Sequence, residues 1–568
     1  MKHLFFIGGV IIVGLFFANG RRPAKIVETG ISIPVYCGPS IDTALMNNGD
    51  APIFSGLGNL HFAVTTTSAR VQQYFNQGLS LMYAFNHGEA GRSFKSALKL
   101  DSTCAMVHWG MVMVLGPNYN AALNPTSLAE INAYLDKAKF YAKDVNEKEK
   151  GLIAAVAKRY PSEPATDMSP FNEAYATAMK KLAIRFPDDM EIAVLYAEAL
   201  MNEHPWNLWL KDGTPQPWTP AILNLLEEIL GKWPSHPGAI HYYIHATEAS
   251  KNAEKALPYA GRLPELMPAA GHLVHMPSHI YIRTGDYHKG VLVNEQASSA
   301  DSAYISQCRR EGSYPMLLYP HNIHFLAACA FLEGSSEKAI RNAWRVSAVT
   351  DKRYLAENIT LQHYYIIPYY VLVQLGRWKE ILALSAPGES LLYPRSIYHY
   401  ARGMAFAASN ELPAAERELE LLKIIAGDAA LKKMLIWDMN SAADLAGIAS
   451  NVLEGEILAR RRRFDAADKL FVAAIEIEDR LNYTEPPDWF FSVRLTRGHW
   501  LLKAQKYAGA EKVFRDDLQT FKENGWSLMG LYKALAGQEK DVEAAEVSRR
   551  FNVAWQWADI SISSSRVE

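Results

Sequence analysis

Cysteine is scarce in this chain. Four occur in 568 residues, Cys37, Cys104, Cys308 and Cys329, and no two form a CxxC pair. That count excludes a disulfide framework and the common cysteine-based zinc folds. One bridge in an oxidising compartment stays open, as does a thiol ligand from Cys104, Cys308 or Cys329, although a buried small hydrophobe is the simpler role. Charge of one sign is also missing. The formal net charge is −2, so nothing electrostatic argues for nucleic acid or an anionic membrane. The one strong basic run, Arg460 to Arg463, reads as a solvated turn. HExxH, Walker, GxSxG and strand-linked GxGxxG motifs are absent. Alternating strand patterns are absent too, which excludes a hidden α/β domain.

One hydrophobic run is present, Leu4 to Ala18, preceded by Lys2 and followed by Ala18-Asn19-Gly20 and Arg21-Arg22. This is the layout of a secretory signal peptide. Fifteen or so apolar residues make a short membrane span, so an uncleaved anchor is the second choice. Residues 1–20 are therefore expected to direct export to a periplasmic or extracellular location, with no membrane span after cleavage. Residues 21–66, rich in Gly, Pro, Ser and Thr, read as an irregular leader.

Histidine is concentrated. Nine of the seventeen fall between residues 241 and 363, and eight of them, all but His288, have a helical spacing or lie in the same repeat frames. His241, His245 and Glu248 run i, i+4, i+7; His272, His275 and His279 run i, i+3, i+7; His321 and His324 are an i, i+3 pair. Each set projects from one stripe of a helix. Imidazole is the commonest side-chain metal ligand and a general acid or base near neutral pH.

A second pattern spans the chain from about residue 70 to 550. Gly78, Ala90, Phe94 and Ala97 repeat a small, small, aromatic, small spacing that returns in Gly455, Ala467, Phe471 and Ala474. It returns again in Gly403, Ala415, Leu419 and Leu422, and in Gly498, Ala510 and Phe514; Trp526 and Gly530 open a last copy. The chain resembles the tetratricopeptide repeat (TPR) family, of a secreted bacterial type, whose helix-turn-helix unit is about 34 residues long. The resemblance implies an all-α, right-handed α-solenoid of eight to ten helix pairs with irregular insertions. It also implies that positions 2, 5, 9 and 12 of each first helix line a concave groove. Frames set by Ala256/Ala260/Leu263, Gly290/Ala297, Ala327/Ala339/Ala343 and Gly376 place all eight histidines on groove positions of four successive repeats.

The expected organisation is then N-terminal repeats over 67–202, a Pro/Trp-rich insertion over 203–220, His-rich repeats over 221–383 and C-terminal repeats over 384–560. The 203–220 segment is either a lid or a packed insertion. Residues 301–320, with Arg309, Arg310, Glu311, Tyr314 and Tyr319, could add charged groups to the groove. Residues 482–491, with Glu485-Pro486-Pro487-Asp488-Trp489, read as a turn. Pro277 and Pro368 either kink their helices or begin them.

Three functions fit. The first is a metal pocket, with or without catalysis, in which His241, His245, His272, His275, His279, His321 and His324 converge on one cavity and bind zinc, copper or iron. Glu248, His363, Arg283 and Tyr281 are its expected ligand-binding edge. The second is a scaffold that takes a peptide or protein partner in the groove. The third is a binding protein for a small molecule.

Overall fold

The computed structural model describes residues 43–47, 49–308 and 314–567, all within a unit spanning Pro34–Glu568. The signal-peptide expectation, half of the leader and the Arg309-Arg310-Glu311 group lie outside these residues. The architecture is an all-α solenoid of antiparallel helix pairs. Examples are Ala69–Tyr83 with His87–Leu100, Tyr319–Leu332 with Ser336–Val349, Leu392–Ala408 with Leu412–Ala426, and Ala442–Arg460 with Phe464–Glu478. Among the described residues the only strands are Leu435–Ile436 and Asn440–Ser441, a two-stranded hairpin. No described helix is long and apolar enough to cross a membrane.

The small and aromatic repeat positions are the contacts that close each pair. A Cβ on Gly78 would meet the Phe94 ring at 2.5 Å, and one on Gly455 the Phe471 ring at 2.6 Å. Gly498 stands in the same relation to Phe514, whereas Gly403 faces Leu453 of the next pair instead of Leu419. The turns between paired helices repeat as well. Eight of them carry one left-handed residue at the same place: Phe85, Gly285, Gly334, Gly376, Asn410, Arg462, Gln505 and Glu539. Glycine takes that conformation without cost, and the other residues do so under strain. The Arg460–Arg463 run is such a turn, with Arg460 bound to Glu456 and Arg461 to Glu416.

Two departures from the repeat matter. The helix expected to pair with Pro237–Thr247 is broken by Pro258 and Pro264 into Ala253–Ala256, Leu257–Ala260 and Leu263–Leu266. Pro277 divides another run into Gly271–His275 and Pro277–Thr284, joined through Met276, which stays helical. His272 and His275 therefore sit on a kinked helix and not in a loop. Pro368 lies inside Ile359–Gln374.

The last repeats return to the middle of the chain. Tyr287 donates its hydroxyl to the Lys522 carbonyl at 2.7 Å, and Trp526 donates its indole N–H to the Phe331 carbonyl at 3.1 Å. Asp559 accepts from the backbone of Ser336 and Glu337. Apolar packing divides at the histidine helix: Ile280 belongs to a core running back to Met46, and Ile282 to one running on to Trp526. The polar site lies at this seam.

Candidate metal centre

Six histidines from three segments meet there. Pro237–Thr247 presents His241 and His245, the kinked pair Gly271–His275 and Pro277–Thr284 presents His272, His275 and His279, and Tyr319–Leu332 presents His321. None is more than 2% exposed. They form two trios, His241/His245/His272 and His275/His279/His321, and within each trio one ligand atom per ring lies within 4.8 Å of the others. The trios adjoin, with ring centroids 6.0 Å apart for both His245–His279 and His272–His275.

The outer ring nitrogens fix the tautomers. His241 Nδ1 faces the Tyr83 carbonyl at 2.7 Å and must donate to it. Tyr83 is itself anchored, its hydroxyl donating to Glu191, which also meets His236. His245 Nδ1 donates to Glu248 Oε1 at 2.7 Å. His275 Nδ1 meets Asn294 Oδ1 at 2.7 Å, and the amide orientation is set by Asn294 Nδ2 donating to the Gly290 carbonyl. Glu248 Oε2 lies 2.6 Å from His279 Nδ1, off the axis of its N–H bond. In His241, His245 and His275 Nε2 is left as a lone pair. The Nε2 atoms face inward: His275 and His279 Nε2 are 3.0 Å apart, His241 and His272 Nε2 are 3.2 Å apart, and His245 Nε2 has no protein partner.

Electrostatics disfavour protonation of five of the six rings. Burial, reinforced by the neighbouring imidazoles, pushes His241, His272, His275 and His321 well below the usual histidine range. Burial also lowers His245, against the pull of Glu248. Burial alone would raise Glu248, but His279 and His245 outweigh it and hold the carboxyl at about 2. One carboxylate thus meets two rings, His245 and His279.

Glu248 was expected at the edge and stands at the centre. His324 was expected in the same cavity and is not there. It lies with His363, ring centroids 5.6 Å apart, under the stacked Phe490, because the i, i+3 step turns it toward the next repeat. Arg283 is held near Glu485, with Nε 3.8 Å from Oε1. Tyr281 points the other way, beside Lys289 and Gly261. Tyr314 reaches the site through backbone, accepting from His272 N at 3.2 Å and donating to Asp301 at 2.7 Å. Cys104 and Cys329 are buried free thiols outside both trios.

Several residues of the site were not singled out in the sequence. Phe85 lays its ring on His241, His245 and His272 at 4.4, 5.8 and 5.8 Å. Residues 482–491, expected as a turn, pack against the site: Glu485 Oε2 lies 3.7 Å from His279 Nδ1, and Tyr483 donates to Glu248. The Pro-Pro-Asp-Trp composition of that segment was the available signal. In the 203–220 insertion, Trp206 meets the His245 ring edge-on at 5.7 Å, while Trp209 is bonded to the Ala246 carbonyl. It packs and covers at once.

No protein-family model matches the chain, and no curated protein does. Among solved structures, the human IFIT1 dimer with m7Gppp-AAAA aligns over 86% of this chain and 91% of that one, at 14% identity and a TM-score of 0.29. The human IFIT1 dimer with PPP-AAAA aligns over the same shares at 13% identity and 0.31. Yeast Tom70 covers 85% of this chain and 93% of its own, at 10% identity and 0.28. Likeness at this level says nothing about ligand or activity, and the helix-pair architecture is read from the chain's own helices.

Proposed function

We propose that the two histidine trios hold a pair of transition-metal ions, with copper the best-suited cation and zinc the alternative. The observation that carries this reading is the tautomer pattern. Three rings, His241, His245 and His275, are fixed with the proton on Nδ1, so three buried lone pairs converge, and the Nε2 of His279 comes to 3.0 Å from that of His275. Lone pairs that close repel unless a cation lies between them. With metal–nitrogen bonds of about 2.0 Å, that separation corresponds to an angle of about 100°, which a three- or four-coordinate ion accepts.

The outer groups fit as well. Metal-bound imidazoles commonly donate the other N–H to a carbonyl or carboxylate, and Tyr83, Glu248 and Asn294 supply such oxygens. Donor sets made only of imidazole favour copper and zinc over the harder cations, and copper heads the affinity order. When bound, copper would supply redox chemistry or Lewis acidity. The chain's own part is to orient the rings, disfavour protonation of five of them and exclude water through Phe85, Trp206 and residues 483–491. A cavity of about 440 Å³, lined by Phe54, Leu57, Ala84, Ala270 and Tyr314 among others, reaches the backbone beside Phe85 and His272.

The test is elemental analysis of tag-free protein after refolding with copper or zinc alone. Two equivalents per chain bound at the trios are expected. A chain that folds and retains neither metal there would end this reading.

A further inference from the structure

Where residues 479–492 meet the last repeats, the chain forms a second polar space. It is a cavity of about 180 Å³ whose walls come from Pro277–Thr284, Phe464–Glu478, Val493–Lys503 and Tyr507–Thr520 as well as from that segment. Both signs of charge line it. Two guanidiniums, Arg283 and Arg494, stand against five carboxyl side chains, Glu478, Glu485 and Asp517 among them. Each guanidinium side chain is 20% exposed, so this cavity opens to solvent where the histidine trios do not. Ile282, Leu481, Trp489 and Phe521 make its apolar wall.

The opposite charges do not close on one another. Elsewhere in this chain a guanidinium meets its carboxylate at 2.8 Å, as Arg566 does Glu456 and Arg497 does Asp468. Here Arg283 Nε stops 3.8 Å from Glu485 Oε1 and has no hydrogen-bond partner. Arg494 Nη2 is joined to Asp479 at 2.8 Å, but Nη1 stays 3.6 Å from Glu478. Asp517, which is 1% exposed, gives Oδ2 to Ser527 and Asn524 and leaves Oδ1 without a partner. Burial raises Glu478 to about 8 and lifts Asp517 above its ordinary value, although Arg494 pulls both the other way. One guanidinium does not balance two buried carboxyls. Enclosed polar atoms of both signs, held apart, are costly unless something bonds to them.

We infer that this cavity binds a small zwitterion, an α-amino acid with an apolar side chain. Its carboxylate lies at Arg283, whose Nε–H is unspent. Its ammonium lies at Glu478 and Asp517, where negative charge is in excess, and its side chain lies on the apolar wall. Pockets of this kind join apolar lining to a few polar groups that fix orientation. A zwitterion brings no net charge into the enclosure, whereas a metal ion would face two guanidiniums and a simple anion would face the carboxyls. Glu485, on the same wall, is 3.7 Å from His279 Nδ1, so the occupant sits beside the histidine centre. Binding requires no ion there.

The experiment is calorimetric titration of the tag-free full chain with L-leucine, 3-methylbutylamine and 4-methylpentanoate. The second and third each lack one of leucine's two charges. Leucine should bind, and each analogue should bind at least about tenfold more weakly, the usual loss for a charged hydrogen bond. No binding of leucine, or equal binding of either analogue, overturns the inference. Arg283→Gln should weaken leucine about tenfold. Glu478→Gln, which keeps an oxygen for the Val493 N–H, should do the same and serves if the first variant folds poorly. Unchanged affinity in a folded variant overturns the site. Titration after chelation separates this pocket from the metal reading: the affinity should persist, and its loss would place leucine on a metal and overturn the assignment.

Discussion

Nε2 of His275 and Nε2 of His279 face each other at 3.0 Å, and Nε2 of His275 is not the nitrogen its surroundings ask to carry a proton. Asn294 takes the proton on the far side of that ring, and Glu248 Oε2 lies 2.6 Å from Nδ1 of His279. From that opposition comes the sharpest expectation about the centre.

Replacing either ring should remove an ion and not the fold. His275→Ala or His279→Ala is expected to lower bound copper from two equivalents to one, with the helical circular dichroism unchanged. Both rings are interior, so a loss of a few kcal/mol in stability accompanies the change. Two equivalents surviving in either variant would place the metal elsewhere.

Glu248 should matter through the rings it orients. Glu248→Gln retains the shape but offers one acceptor oxygen where His245 and His279 use two. Metal affinity is expected to fall about 10–100-fold, the usual effect of losing an outer partner. Competition against a chelator of known affinity measures this, and a change below threefold would mean that the carboxylate does not position the ligands.

Acid stability should depend on a pair far from the histidines. Glu456 is buried between Arg566, bonded through both carboxylate oxygens at 2.8 Å, and Arg460. Burial opposes its ionisation, but the two guanidiniums prevail and lower it from 4.5 to about 2. A depressed carboxyl contributes stability that is complete above about pH 4.5 and disappears as pH falls toward 2. By the usual conversion the pair is linked to about 3 kcal/mol. Urea midpoints at pH 5, 4 and 3 should therefore fall more steeply for the natural chain than for Glu456→Gln. Parallel curves would show that the tail is held by other means.

The repeat contacts predict a coupled pair. Gly455→Ala drives a methyl into the Phe471 ring and should cost about 1–3 kcal/mol, the range for overpacking. Phe471→Leu alone costs by cavity formation, yet the double variant should recover part of both losses. Additive effects in thermal melts would mean that the two side chains do not share that space.

What could be read from the sequence follows from range. Gly78 with Phe94, Gly455 with Phe471 and Gly498 with Phe514 are contacts within one helix pair, so a fixed spacing betrays them. The histidine stripes are equally local, and the i, i+3 and i, i+4 steps put His241 beside His245 and His275 beside His279. Tyr83, Asn294 and residues 483–491 left no such mark. Their places depend on the last repeats returning to the middle of the chain through contacts such as Tyr287 to Lys522, which no periodicity encodes. His324 was misassigned for a related reason. Register gives a residue's face on its own helix, whereas the curvature of the array decides which neighbour that face meets.

The covering segment has a consequence in time. Tyr483 and Glu485 lie against Glu248 and His279, and Phe85 and Trp206 lie against His241, His245 and His272, so the six rings are enclosed from several sides. If the trios hold ions as proposed, the enclosure of all six rings would make uptake by the folded chain slow. Folded apoprotein should take up copper over hours while chain refolding in its presence fills at once. The history of a sample, more than the metal in its final buffer, would then determine what it carries.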